Sequence, residues 1–558
     1  MGLPEYLEHC DKRYSEDNHL LGGPFYGPGY HSRVTDGTYV HDIVNSLNYA
    51  IALLEAGGLG NVERAACIVR KVLTLQDTDP TSPTYGIWPW LLEEPLSAMS
   101  SPDWNWADFG GVRLAQMLKD YGADLPEEAV RDMKASLAHA AWSVFRRNMP
   151  PSYTNIAIMG AGVAVAAGEL LNTPRLLDYG RRRLHKIVEH TKFHGGFNEY
   201  NSPAYTMVAL HECERILDLV KDATARAEAD WLRRVAWLTI AEHWHPGTCQ
   251  WAGPHSRAYT LRLGPATVRY FSEQTGVEIQ PYPTTGPERP APPPQFPELP
   301  CPKKMAPRFR ALPEKETEVK RRFIKREPDG NSVWGTTWLS EDACLGSVNM
   351  DNLWAQRHAV LAYWRTPEDP AVVLRLRFLH DDRDFASAFV RSAQAGPRVL
   401  SAISLLWDCG DFHMHLDRPA DGLFEAGDFR VRYELGGQGV AAKALGDGRF
   451  DLSAGARRAV IHTVPGRFGP NEVRWTIGND QNRAWVDGLC YSGPRQRFDF
   501  RALGEVVIAA ALELLGSDES PSAAPAVQPV DDGTYRVTWP VAGGLSLAVP
   551  TRVHLYPK

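Results

Sequence analysis

The stretch His194-Gly195-Gly196-Phe197-Asn198-Glu199-Tyr200-Asn201-Ser202-Pro203-Ala204-Tyr205 gathers an imidazole, a carboxylate, two amides and two phenols. Two glycines hinge it, Ser202 reads as a helix N-cap, and Pro203 reads as the first helical residue. That spacing places Tyr205 on the first turn, beside the positive end of the helix dipole, where phenolate charge is stabilised. A plain turn needs the glycines and the cap. It does not need Asn198, Glu199, Tyr200, Asn201 and Tyr205 together, so the loop is read as part of an active site rather than as a well-hydrogen-bonded corner.

Other clusters carry chemistry of a related kind. In Trp251-Ala252-Gly253-Pro254-His255-Ser256-Arg257-Ala258-Tyr259, Arg257 offers a bidentate carboxylate clamp and His255 a base near neutral pH. Asn155, in Ser152-Tyr153-Thr154-Asn155, stands at the mouth of a helix of small residues; it either caps that helix or binds a substrate carboxylate. Trp88, Trp90, Trp104 and Trp106 lie close in sequence and are either wedges between helices or platforms for sugar rings, with Trp88, Trp104 and Trp106 taken as substrate-binding. His243-Trp244-His245 and His413-Met414-His415 have a spacing that zinc sites use, but no third ligand follows from spacing, so neither a metal nor a cofactor is expected. Walker A, dinucleotide-binding and nucleophile-elbow motifs are missing from the sequence, which removes nucleotide and α/β-hydrolase readings.

Two grammars position these residues. Apolar residues recur at helical spacing over 41–55, 62–75, 109–121, 127–145, 155–171, 175–190, 204–220, 225–241 and 258–275. Ser101-Pro102, Thr173-Pro174 and Ser202-Pro203 each look like a cap followed by a proline at the first helical position. The segment 156–168 is apolar on every side, so it must be buried all round. Alternation of such a helix with amphipathic ones predicts an incomplete ring of helical hairpins, an (α/α) toroid, over 1–280. Residues 281–313 are dense in proline and read as a semi-rigid linker. Beyond it, 314–558 is strand-like over 333–339, 358–364, 371–378, 429–435, 458–464, 473–478, 506–514, 535–539 and 545–549. Asp329-Gly330, Asp447-Gly448 and Asp532-Gly533 mark turns, predicting an antiparallel β-sandwich.

Composition bounds the partners. The 558 residues are too many for one ordinary domain, and 44% hydrophobic with 23% charged residues is a globular profile. A net charge of −7 argues against nucleic acid or an anionic membrane as the main partner. The 17 Trp and 20 Tyr favour carbohydrate. Eight scattered cysteines without CxxC spacing read as reduced thiols. No signal-peptide pattern opens the sequence and no apolar run is long enough to span a bilayer, so the expected address is cytoplasmic, or secreted if a leader has been removed. Oligomeric state is left open.

In element order and in short motifs, the chain resembles the polysaccharide lyases built from a helical toroid and a β-sandwich, the heparinase II/III-like, chondroitin AC and alginate oligosaccharide lyase families. The stretch from Gly195 to Tyr205 looks like their segment that delivers a catalytic tyrosine, a role the resemblance gives to Tyr205. Thr154-Asn155-Ile156-Ala157 looks like their inner-helix start, whose amide neutralises a uronate carboxylate. Ile156 stands where several of these families have a second polar residue, usually histidine, which puts the supply of an imidazole on His255, beside Arg257.

The resemblance implies β-elimination at a uronic acid in an acidic oligosaccharide or polysaccharide. Asn155 and Arg257 would stabilise the enolate formed when the C5 proton leaves, and Tyr205 or His255 would move protons, in an order the sequence leaves open. The main alternative is a glycoside hydrolase acting on glucuronides through a carboxylate pair, Glu199 with Asp103 or Asp108. A non-catalytic carbohydrate-binding protein is the third reading.

Overall fold

Helices fill the first part of the chain and antiparallel strands the last. The structure, a computed structural model, describes residues 2–27, 30–283, 292–293 and 295–557. The helices are α1 (Leu3–Asp11), α2 (Ile43–Ala56), α3 (Leu59–Leu73), α4 (Trp106–Tyr121), α5 (Glu127–Arg147), α6 (Thr154–Leu170), α7 (Pro174–His194), α8 (Tyr205–Leu219), α9 (Ala223–His243) and α10 (Pro265–Thr275). The chain forms two compact units that interleave along the sequence. The first comprises Met1–Lys192, Tyr205–Ala236 and Thr284–Pro300; the second comprises Phe193–Ala204, Trp237–Pro283 and Cys301–Lys558.

In the first unit α6 is buried from Thr154 to Gly168. Its glycines make this possible. A Cβ on Gly168 would meet the Leu177 backbone nitrogen at 2.5 Å, one on Gly162 would meet Ile216 at 2.8 Å, and one on Gly160 would meet Asp108 at 2.5 Å. Helices α4, α5, α7 and α8 therefore approach α6 closely on all sides. Each of the pairs α2–α4, α4–α6 and α6–α8 is in contact, and α3 packs on α5 behind them. One outer helix separates each inner helix from the next, so α2, α4, α6 and α8 run the same way and begin at one end of the unit. A sheet of Tyr14–Ser15, Leu20–Pro24 and Tyr39–Asp42 precedes them.

Only one of the three serine- or threonine-proline signals starts a helix where expected: α7 begins at Pro174. After Ser101-Pro102 the chain first turns on Asp103, whose Oδ1 accepts the Asn105 N–H, and α4 starts at Trp106. The Ser202 hydroxyl donates to the Arg257 carbonyl, and α8 starts at Tyr205. The helix expected over 258–275 begins only at Pro265, because 258–263 is held in irregular structure, with Arg262 Nε donating to the Ala371 carbonyl.

Among the described residues the second unit holds two nine-stranded sheets, a three-stranded one and the two-stranded pair Trp244–His245 and Gln250–Trp251. The first large sheet runs through Arg474–Asn479, Arg483–Phe498, Phe424–Gly436, Val372–His380, Val360–Trp364, Ala343–Val348, Val333–Leu339 and Thr317–Ile324, with Arg383–Asp384 also paired to Val372–His380. The second runs through Ala441–Gly446, Arg449–Ala454, Arg457–Thr463, Val506–Gly516, Arg398–Leu405, Ala388–Ala395 and Met350–Asn352, with Arg467–Phe468 also paired to Val506–Gly516 and Asn471–Glu472 paired to Arg467–Phe468. Leu374, Phe429 and Val486 of the first share one core with Val390, Ile403 and Leu512 of the second, which makes the pair a sandwich. Alternate residues of the second sheet face outward and are apolar as well. Leu400, Ala402, Ala509 and Ala511 are covered by Tyr535, Val537 and Trp539 of the third sheet (Ala526–Asp531, Thr534–Trp539, Leu545–Pro550). The strand-rich part is thus three layers deep.

Residues 237–283, assigned by periodicity to the helical part, pack in this second unit. Trp237, Trp244, Phe271 and Phe309 form an aromatic cluster, and Ala252 joins Leu339, Leu361 and Tyr363 on the outer face of the first sheet. Of the expected linker over 281–313, residues 284–291 and 294 lie outside the described residues. Its last part is not free chain: within the first unit Gln295 donates to Asn48 at 2.7 Å and Arg233 to the Leu299 carbonyl at 2.9 Å, while Phe309 belongs to the aromatic cluster. All eight cysteines are free thiols, and among the described residues no helix is long and apolar enough to cross a membrane.

The packing of α6 gives a direct stability test. Gly168→Ala forces a methyl into the Leu177 backbone and should cost about 1–3 kcal/mol in denaturant unfolding. Gly60→Ala, in α3 with nothing within 4 Å of the new Cβ, should instead raise stability by up to about 1 kcal/mol.

Candidate functional site

The loop 193–204 is anchored within the second unit by nearly every polar group it carries. Gly195 adopts φ 95°, a left-handed conformation, and its Cα edge lies close to the Arg322 carbonyl. The Lys325 N–H donates to His194 Nδ1 at 2.9 Å. Tyr200 stacks on Phe323 at 4.4 Å and donates its hydroxyl to buried Asp351 at 2.7 Å. Asp351 in turn accepts from Arg357 and from the Tyr556 hydroxyl, so the buried carboxylate is fully compensated.

Asn201, expected as a substrate-binding amide, is spent on the fold. It sits at φ 42°, its Nδ2 donates to the carbonyls of Ala252 and Pro254 at 2.9 and 2.8 Å, and its Oδ1 accepts from Trp251 Nε1. Three segments that are distant in sequence thereby meet: the loop, 251–258, and 351–358. Glu199 accepts from Arg257 Nη1 at 3.0 Å, Arg257 Nε donates to Gln356 at 3.1 Å, and the guanidinium lies 5.2 Å from the Trp354 ring. Trp354 then contacts the His413 ring at 4.9 Å. His413 Nδ1 accepts the backbone N–H groups of His415 and Leu416, which places its proton on Nε2. Sequence reading singled out His413 only as half of an HxH pair. The signal that links it to Arg257 is Trp354, which no spacing in the sequence reveals. Asn198 is half-buried in the same loop and Tyr259 is 62% exposed.

His255 departs from the role of a proton carrier. It is 2% exposed, Nε2 donates to the Trp251 carbonyl at 3.0 Å, and its backbone pairs with that of His358. Burial, reinforced by neighbouring His243, lowers its pKa to about 3, and His358 is driven down for the same reason with His255 as a neighbour. Both imidazoles are neutral at neutral pH, and each keeps a buried Nδ1 without a partner. The pattern of His, Arg and Tyr within five positions was legible; that the histidine faces inward was not.

The first unit brings together a second set at the end where the inner helices begin. The Ile43 N–H, at the start of α2, donates to the Trp90 carbonyl at 3.2 Å. Trp90 stacks on Trp106, the first residue of α4, with centroids 5.1 Å apart, and donates to Asp103 at 3.2 Å. The Asn105 amide reaches the Tyr153 hydroxyl at 3.4 Å, which brings the starts of α4 and α6 together. Asn155 follows on the first turn of α6, 1% exposed, and Tyr205 opens α8, half-buried, at the same end. Trp104 is half-buried with its indole N–H on the Pro83 carbonyl. Trp88 is a correction: it is 1% exposed, donates to the Val72 carbonyl at 3.1 Å, and fills the space over Gly110, so it is a core wedge and not a sugar platform.

Two carboxyls of the hydrolase alternative are engaged within the fold: Glu199 is ion-paired with Arg257, and Asp103 spends its oxygens on Trp90 and Asn105. Burial raises Asp108 to about 8, against the pull of Arg147 at 3.8 Å. Among the described residues no group of three His, Cys, Asp or Glu could hold a metal ion.

The comparisons with known proteins leave the activity to these residues. The model of a domain of unknown function (DUF8769) matches residues 24–272, less than half of the chain. No curated protein matches the sequence. Among solved structures, a heparinase III is 10% identical at a TM-score of 0.42, covering 90% of this chain and 82% of its own. A second heparinase III, with methylated lysines, is 9% identical at 0.42, covering 99% and 92%. A chondroitin AC lyase of Streptomyces coelicolor A3, solved in complex with chondroitin sulphate, is 11% identical at 0.48, covering 96% and 83%.

Two outcomes follow for the second unit. Asn201→Ala leaves two carbonyls and one indole N–H unpaired, and should cost about 1–3 kcal/mol or more in unfolding experiments. The folded-state pKa values of His255 and His358 lie below the ordinary 6.5, so the unfolded chain takes up protons first and stability falls as pH drops below about 6.5. The loss of unfolding free energy between pH 7 and 5 should shrink in His255→Gln; an unchanged slope would show that other groups set it.

Proposed function

We propose that the protein is a carbon–oxygen lyase that cleaves a glycosidic bond at a uronic acid by β-elimination. The observation that carries this reading is the shared end of α2, α4, α6 and α8 in the first unit. There α6, apolar from Ile156 to Gly168, carries Asn155 buried on its first turn, α8 opens with half-buried Tyr205, and Trp104 and Trp106 stand by the start of α4. Four helix starts at one end also concentrate positive potential, which suits an acidic sugar.

The chemistry assigns the roles. The C5 proton of a uronate is weakly acidic because its removal adds a second negative charge to the carboxylate. An amide donor at Asn155, fixed in the folded protein, stabilises that charge without reorganising. Tyr205, as phenolate beside its helix start, takes the C5 proton. The electron pair forms the C4–C5 double bond, the C4–O bond breaks, and the phenol of Tyr205 returns the proton to the leaving oxygen. One residue thus serves both steps, and a buried neutral His255 is not required to move a proton. In this reading Glu199, Arg257 and Asn201 fix the loop that leads into Tyr205, and Trp104 and Trp106 offer aromatic faces to sugar rings. An acidic oligosaccharide or polysaccharide is the substrate class, and a cytoplasmic address would favour short imported chains.

Elimination creates a double bond conjugated with the carboxylate, whereas hydrolysis leaves two saturated sugars. A panel of uronate-containing oligosaccharides should give rising ultraviolet absorbance with the wild-type protein. Tyr205→Phe should abolish the rise, and Asn155→Ala should slow it by roughly 10²-fold or more. New reducing ends without absorbance would sink the lyase reading in favour of a hydrolase.

A further inference from the structure

At the start of α2 the first unit contains a cavity of about 320 Å³, within the size range of small-molecule sites. Its walls come from α1, the N-terminal sheet with Phe25 and Tyr26 beyond it, the first turn of α2, Leu91 and Pro292. Arg13 has binding capacity to spare there. Its Nε donates to the Gly22 carbonyl at 2.9 Å, and the guanidinium lies across Gly23, where a Cβ would stand 3.2 Å from Nη2. The fork is therefore held by its stem. Among the described residues it makes no ion pair, and its terminal amino groups make no hydrogen bond with the protein. Phe25 and Tyr26 supply aromatic surface, and Tyr26 is 64% exposed, high for a ring of this size. Asp42 caps α2 through the Asn45 N–H at 2.7 Å and borders the same space.

We propose that this cavity is a binding site for an anionic sugar unit, its carboxylate or sulfate held bidentately by Arg13 and its ring laid against Tyr26. A held guanidinium fork matches two coplanar oxygens, an amphipathic aromatic matches a sugar face, and a cap carboxylate accepts sugar hydroxyls. The sugar part of this inference rests on the saccharide reading above; the anion part rests on the cavity alone.

The test is calorimetric titration of the full chain with glucuronate, glucose 6-sulfate and glucose. Both acids, or one of them, should bind, with glucose roughly tenfold weaker or worse; the stronger acid tells carboxylate from sulfate. Arg13→Gln should weaken acid binding roughly tenfold or more, Arg13→Lys less, and Tyr26→Ala should weaken it with thermal unfolding unchanged. Arg13→Lys and Tyr26→Ala keep the test decisive if Arg13→Gln disturbs the N-terminal sheet. Absence of acid binding by the wild type overturns the proposal, as does wild-type affinity in both Arg13→Lys and Tyr26→Ala, or loss of binding in Asn155→Ala alone. Acid binding without elimination would defeat only the lyase reading, and elimination without acid binding only this one.

Discussion

Close packing around α6 is the constraint on which the helical unit depends. A helix buried on every side has no place at a surface, so its neighbours must be arranged around it, and the glycines at 160, 162 and 168 set how near they come. Once α6 is an inner helix, its hairpin partners α5 and α7 are outer ones, and the direction of every other inner helix follows. The polar residues that open these helices gather at one end as a consequence. Asn155 is at that end because the apolar run behind it has to be buried.

The second unit solves a different problem. Its loop 193–204 carries more polar groups than a turn requires, and most of them tie sequence-distant segments together. Desolvating Asp351 would be costly alone; with Arg357 and two tyrosine hydroxyls around it the cost is offset, and the arrangement fixes which segments meet. Asn201 does the same with an amide, in a left-handed conformation that asparagine tolerates better than most residues. Polar crowding in a loop therefore has two physical explanations, chemistry on a substrate and assembly of the fold, and this loop illustrates the second up to Ser202, just before Tyr205.

Layering in the strand-rich part follows from alternation. A strand such as Arg398–Leu405 is apolar on both faces, Val399 and Ile403 toward one core and Leu400 and Ala402 toward another. An apolar outer face has to be covered, and the three-stranded sheet near the C-terminus covers it. The same logic brings Ala252 onto the outer face of the first sheet.

The sequence by itself determined the element types, because periodicity is a local property. The helical spacing of 127–145, the all-apolar 156–168 and the alternating runs around 372–380 are readable without knowing what they touch. It also singled out Asn155 and Tyr205, since each stands where a polar residue interrupts the start of an apolar helix. Tertiary structure decided everything that depends on which face is covered. Trp88 and Trp104 are the same residue type in similar company, yet one is sealed over Gly110 and the other half open. His255 looks like a base until burial seals it from solvent and lowers its pKa to about 3, and Arg13, in a polar run near the N-terminus from which nothing specific follows, is held by its Nε with its terminal amino groups unspent only in the packed chain. Burial and partnership are properties of the whole packed chain, and no window of sequence contains them.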